Sequence, residues 1–312
     1  MRTVKTLPLC MGLPLTLALV FILFVEPPEK YQFANDFDVS QLWYLHQAEP
    51  IKQTKLSQNH AEYIINPVHL CEQVPTNEPI DYLVIIFSRP MHAHRRNAVR
   101  ETWASELRCL TSSRVVFLLA KTDDANLQKT IEAEAHLYSA IIQGTHVDNS
   151  KNQTLKGMIM LQWALKHCFR TDFLLKADDD TYLNVPVFLN TMTNKRRNAI
   201  HGFAYKNQGP QRNPESKWFV YKKEFKEISY PDFTAGAFYV IGWTVVDLIY
   251  EASKMATFVW LEDVLFTGFS ASEAGVDVVH DDVFSVHRPT SIWHVRKKAS
   301  SRHISADDLG IY

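Results

Sequence analysis

Three consecutive aspartates end an apolar run in FLLKADDDTYLN, residues 173–184. Carboxylates gathered this way repel: at an effective dielectric near 20, two charges about 4 Å apart cost roughly 4 kcal/mol. A hard divalent cation removes that cost, because carboxylate oxygens suit Mg²⁺ or Mn²⁺, which complete their shells with water and phosphate oxygens. Asp178, Asp179 and Asp180 therefore point either to a cation–diphosphate site or to a solvated turn that caps a helix. A second acidic pair, Glu262 and Asp263, lies among apolar residues in WLEDVLFTG. Acids in such surroundings have raised pKa values and can act as general bases, or they can simply open a helix. In YPDFTAGAFYVIG, residues 230–242, the small residues Ala235, Gly236 and Ala237 let a ligand approach the backbone, and the flanking aromatics can stack on sugar rings. Arg95, Arg96 and Arg100 in RRNAVRETW suit phosphate if they sit at a helix start, and a solvated helix face if they do not. Of 13 histidines, His280, His287, His294 and His303 fall late in the chain, where one of them can complete a metal shell with Asp180.

The elements that must hold these residues are legible from periodicity. DYLVIIF (81–87), RVVFLLA (114–120), SAIIQG (139–144) and FLLKAD (173–178) read as buried strands, being compact runs of β-branched and apolar residues. Helical segments alternate with them at 95–103, 125–137 and 150–168; in the last, Leu155, Met158, Ile159 and Trp163 share one helical face. Alternation of this kind predicts a mainly parallel sheet with helices on both faces, and ligands bind beyond the carboxyl ends of such strands. The three aspartates stand at one of those ends. Residues 202–221 read as a long loop, and 230–242 as a tight turn running into a strand.

The chain of 312 residues is 46% hydrophobic and 21% charged, with net charge −1. That composition excludes a disordered chain and gives no electrostatic reason to expect a nucleic-acid partner. Residues 6–25 carry no charge, with Arg2 and Lys5 ahead of them. Twenty residues rising 1.5 Å each span about 30 Å, which predicts a transmembrane signal anchor with its N-terminus in the cytoplasm. The expected organisation is a tail at 1–5, the anchor at 6–25, a stem at 26–78 and a lumenal catalytic domain at 79–312. Cys71, Cys109 and Cys168 then lie in an oxidising lumen, and an odd number suggests one pair and one free thiol. Asn152 opens the single glycosylation sequon, Asn-Gln-Thr.

Taken in order, RRNAVRETW, the block from DNSKNQTLKGMIMLQWALKHC to DFLLKADDDTYLN, KWFV, YPDFTAGAF and LEDVLFTG resemble the motifs of the β-1,3-galactosyltransferase family, inverting membrane-anchored glycosyltransferases. TAGAF, AGVDVVHDDV and HRP look closest to its brainiac-type branch, which acts on glycolipid acceptors. The resemblance implies an α/β fold of the GT-A nucleotide-sugar transferase type with one metal site. It implies that Asp180 ligates Mn²⁺ (Mg²⁺ as the alternative), that Asp178 and Asp179 face the uridine and ribose, and that Asp263 is the general base. By the same route Arg96, Arg100 and Lys156 go to the nucleotide sugar, and Trp218, Tyr230, Gly236 and Glu262 to the acceptor or sugar pocket. HISADDL makes His303 the second metal ligand, with His287 of HRP next. Phe233 and Ala237 depart from the family's more usual Tyr and Gly. The implied partners are a UDP-sugar and a glycan acceptor on lipid or protein, in the Golgi membrane, with a homodimer left open. Two rival functions remain at this level: a lumenal metal-dependent phosphohydrolase, and a tethered carbohydrate-binding protein without activity.

Overall fold

The computed structural model describes residues 62–72, 79–149, 152–285 and 297–302. The anchor at 6–25 and the histidines His287, His294 and His303 lie outside them. Among the described residues no helix is long and apolar enough to cross a membrane.

The continuous apolar runs become strands buried on both sides, as expected of a central sheet. In order the elements are β1 (Tyr63–Ile65), β2 (Ile80–Phe87), α1 (Ala93–Glu101), α2 (Trp103–Leu110), β3 (Ser113–Lys121), α3 (Ala125–Tyr138), β4 (Ile141–Val147), α4 (Gln153–His167) and β5 (Thr171–Asp178). There follow β6 (Thr181–Leu183), α5 (Val185–Met192), β7 (Ala199–Tyr205), β8 (Phe233–Gly242), α6 (Val246–Ser253), a π-helix (Val264–Ser270), β9 (Asp277–His280) and β10 (Ser300–Arg302). Eight strands form one sheet in the order β1-β4-β3-β2-β5-β8-β7-β9. The run β4-β3-β2-β5 is parallel, while β8 is antiparallel to both β5 and β7.

Side chains alternate across the pleat and divide the core into two layers. Leu83, Ile85 and Phe87 of β2 pack with Ile159, Trp163 and Ile249 on one face. Tyr82, Val84 and Ile86 pack with Val99, Trp103, Ile131 and Phe188 on the other. Helices thus cover both faces, as the alternation of elements predicts.

Chain order reverses beside β2: β3 and β4 step away on one side, and β5 lies on the other. A crevice opens at such a switch point, outside the carboxyl ends of the strands. Here those ends are Phe87 and Asp178, which are partners in register. The Asp179 N–H donates to the Phe87 carbonyl at 3.1 Å, holding the two strand ends together just where the acidic triplet begins.

Three expectations change. The predicted helix at 95–103 is two helices, because the backbone leaves helical geometry at Thr102 (φ −108°, ψ −117°). The stem does not extend to 78: β1 pairs with β4, and Cys71 is bonded to Cys168 with a Cα–Cα distance of 5.3 Å. Cys109 is disulfide-bonded too, so the expected lone thiol is not found among the described residues. The third change is that the supposed loop begins as strand β7, and TAGAF lies inside β8 rather than in a turn before it.

Candidate active site

A cleft of about 590 Å³ lies over the switch point. Ser88, Arg89, His92 and Arg95 reach it from the end of β2 and the start of α1, and Asp178, Asp179 and Asp180 from the end of β5. Phe87 and Asp148, Lys176 of β5, Gly236 and Ala237 of β8, Gln153 and Lys156 of α4, Lys217 and Trp218, and the run Trp260 to Asp263 complete its lining.

The triplet is not a capped turn. The next helix, α5, is capped by Asn184, whose side-chain oxygen accepts from the Val187 N–H. Asp179 is the most buried of the three at 9% exposure and is fully committed within the protein. It accepts from Ser88 Oγ at 2.8 Å and Arg95 Nη1 at 3.1 Å, and bonds His92 Nδ1 at 2.7 Å. Burial alone would raise its pKa, but His92, Ser88 and Arg95 together hold the carboxyl below its ordinary value. Asp178 accepts from Lys176 Nζ at 2.6 Å.

Lys176 joins the triplet to the second acidic pair. Its buried ammonium also donates to the Gly236 carbonyl, lies 3.9 Å from Glu262 Oε2, and sits 4.6 Å from the centre of the Phe87 ring. The N–H of the same Gly236 donates to Asp263 Oδ2 at 3.0 Å. A Cβ at position 236 would stand 2.9 Å from that oxygen, so the close approach of β8 to Asp263 requires glycine. Asp263 Oδ1 accepts from the Val264 N–H at 2.9 Å, opening the π-helix. The helix-cap reading of this residue is therefore realised, and the same carboxylate lines the cleft. Burial is the first cause raising its pKa, with the backbone N–H groups and Lys176 opposing. Glu262 is pushed up to about 7, chiefly by burial, and accepts a hydrogen bond from the Tyr239 hydroxyl. Lys156, buried under the strand ends, donates to the Ser88 carbonyl at 2.8 Å, and burial lowers it to about 8.

Of the residues singled out in the sequence, Lys156, Asp178, Asp179, Asp180, Trp218, Gly236, Glu262 and Asp263 share this cleft. Three do not. Arg96 is completely buried and forms a bidentate pair with Glu134, Nε to Oε1 at 2.8 Å and Nη2 to Oε2 at 2.6 Å. Arg100 donates to the same carboxylate at 2.5 Å and lies over the rings of Phe117 and Tyr138. Both guanidinium groups are committed inside the protein, which corrects their assignment to the nucleotide sugar. Arg95, on the same helix, lines the cleft instead. Tyr230 is buried against Phe225, Phe233 and Phe269 and borders a different cavity, so its place in the sugar pocket is corrected as well. Asn152 is half-buried, and its amide donates to the Val147 carbonyl at 3.1 Å; attaching a glycan would disturb that bond.

Sequence reasoning missed Ser88, His92 and Lys176. The available signal was position: the first residue beyond β2 and a lysine two residues before the triplet.

Asp178 and Asp180 offer hard oxygen donors to the cleft and fit a divalent cation, while Asp179 is already occupied. Among the described residues no three His, Cys, Asp or Glu side chains form a complete metal site. Both histidines considered as second ligand, His303 and His287, lie outside the described residues.

Several known proteins resemble this chain in sequence. Lactosylceramide 1,3-N-acetyl-beta-D-glucosaminyltransferase of Mus musculus is 27% identical over 310 residues, 93% of this chain and 81% of the relative. Beta-1,3-galactosyltransferase 9 of Homo sapiens is 29% identical over 80% of this chain and 68% of its own. Beta-1,3-galactosyltransferase 1 of Mus musculus is 27% identical over 83% and 79%. Among solved structures, the WbbM bifunctional glycosyltransferase aligns at TM-score 0.44 and 10% identity, covering 75% of this chain and 47% of that one, too distant to argue from. The family model described as galactosyltransferase matches residues 94–282, from the helix that brings Arg95 to the cleft through the strand after the π-helix. That span is well over half of the chain and holds the aspartate triplet, Gly236 and the Glu262–Asp263 pair; the chain belongs to the galactosyltransferase family.

Proposed function

We propose that this chain transfers a hexose, galactose or N-acetylglucosamine, from a UDP-sugar to the 3-hydroxyl of an acceptor glycan on glycolipid or glycoprotein, with inversion to a β-1,3 linkage. The observation that carries the reading is the single cleft in which Asp178 and Asp180 face the same space as the buried Asp263.

Asp263 accepts the proton of the acceptor 3-hydroxyl. Two backbone N–H groups fix its carboxylate while leaving lone pairs for that proton. The acceptor oxygen then bonds to C1 of the α-linked sugar as the C1–O bond to the diphosphate breaks, through an oxocarbenium-like transition state. Asp180, with Asp178 beside it, would hold a divalent cation, which when bound offsets the charge of the departing diphosphate. Arg95, Arg89 and Lys156 add positive charge along the same cleft, and Asp179, by binding Arg95 and His92, fixes their orientation. Trp218, half-exposed at the cleft, provides an aromatic face for a sugar ring. We further propose that residues 6–25 anchor the chain as a type II protein with this cleft in the Golgi lumen.

Incubating the full-length chain in detergent with UDP-galactose or UDP-N-acetylglucosamine, acceptor and Mn²⁺ tests this reading. It predicts a linked disaccharide whose formation stops with a chelator and with Asp180→Asn. UMP and sugar 1-phosphate without linkage would favour the phosphohydrolase, and UDP binding without turnover would favour the inactive binding protein.

A further inference from the structure

Lys176 touches both acidic groups of the cleft, yet the mechanism above leaves it without a part. The residue is only 3% exposed. Burying an ammonium is expensive, and an apolar side chain of similar volume is often no less stabilising than a buried ion pair. A lysine here calls for a reason beyond stability.

Its position supplies one. Lys176 and Asp178 stand two residues apart on β5, so their side chains leave the same face of the strand. The ladder between β5 and β8 runs as far as the pair Ala177 and Phe238 and ends there. Past that point the Lys176 ammonium spans the two strand ends, donating to Asp178 Oδ1 at 2.6 Å and to the Gly236 carbonyl. The Thr181 hydroxyl makes a parallel tie to the Ala237 carbonyl at 3.1 Å, but it carries no charge. Gly236 in turn donates its N–H to Asp263 Oδ2 at 3.0 Å. One short series of contacts thus runs from a carboxylate that faces the cation position to the carboxylate that takes the proton. Lys176 is its middle member.

We propose that Lys176 is a positioning residue for the transfer, holding Asp178 and Gly236 together so that the cation carboxylates and the base Asp263 keep a fixed spacing. The inference rests on the transferase reading above. Spacing matters because the base must meet the acceptor hydroxyl while the diphosphate leaves toward the cation, and a misplacement of about 1 Å can cost roughly 100-fold in rate. The charge of Lys176 has a second effect. The titratable and charged groups around Asp263 are Lys176 and Asp178 of β5, the adjacent Glu262, Tyr239 of β8, and Tyr230. Of these only Lys176 is a cation, and it opposes the rise that burial imposes on Asp263.

The test compares full-length parent with Lys176→Met, counting UDP-binding sites by calorimetry with Mn²⁺ and measuring turnover per site across pH. UDP binding should persist while kcat per site falls about 100-fold. The acid limb of kcat/KM should move to higher pH, because Asp263 loses its neighbouring cation; a merely structural role for Lys176 would not move it. Where Lys176→Met yields no folded chain, Lys176→Gln, which keeps a polar end without the charge, is measured in the same way. Turnover per site equal to the parent's, or reduced turnover with the acid limb unmoved, overturns the proposal alone. A parent chain that forms no linked sugar overturns it together with the transferase reading.

Discussion

Asp179 and Glu262 are both buried carboxylates on one cleft, and their surroundings push them in opposite directions. Asp179 has three hydrogen-bond partners, two of them basic, and is held low. Glu262 is raised to about 7, its burial only partly offset by Lys176. The sign for stability follows from proton counting. Between the ordinary glutamate value and about 7, the folded state holds more of this proton than the unfolded one, so its contribution falls as pH rises across that window. The Asp179 contribution is lost only as pH falls below the ordinary aspartate range, outside that window. His146, lowered to about 4 by burial, slopes the other way, so the informative quantity is the difference between variant and parent. Glu262→Gln should gain stability relative to the parent on going from pH 5 to pH 7.5, measured by denaturant titration at both. A pH-independent difference would show that Glu262 titrates normally.

At the scale of elements, Arg96 and Arg100 show what motif reading leaves open. The sequence places three arginines near a helix start, but only the helix phase decides which one faces the cleft. In α1, Arg96 and Arg100 point at Glu134 of α3 and Arg95 at Asp179. Arg96→Met should therefore act on folding: an unpaired partner in a buried ionic cluster costs about 3–5 kcal/mol. Arg95→Ala should instead weaken UDP binding with little change in Tm. Calorimetry and thermal melts on the two variants separate these outcomes, and weak UDP binding by a stable Arg96→Met would reverse the assignment. The strands β2 to β5 were legible because doubly buried parallel strands are continuous apolar runs. The direction of β8 and the start of β7 were not, since residue pattern carries no strand polarity and Gly202 and Pro210 read as loop signals. Asp263 was recognisable as an acid among apolar residues. Its bond to the Gly236 N–H, 27 residues away in the chain, could appear only once β8 was in place.

For the molecule as a whole, the Cys71–Cys168 bridge closes 97 residues of chain and ties the segment carrying β1 to the end of α4. Loops of that length lose much conformational entropy in the unfolded state when cross-linked, and such bridges typically contribute about 2–4 kcal/mol. Cys168→Ser should lower Tm by roughly 5–15 °C in a thermal melt; an unchanged Tm would place β1 outside the cooperative unit. The acidic triplet and the Asp263 segment, both beyond the bridged loop in the chain, line one cleft at the switch point. The most direct test is product analysis by NMR for the full-length chain and Asp263→Asn, each supplied with UDP-sugar, acceptor and Mn²⁺. The account predicts a β-linked sugar on the acceptor 3-oxygen from the parent and a rate lower by roughly 100-fold or more in the variant, with UDP binding retained. An α-linked product, or equal rates for the two chains, would contradict it.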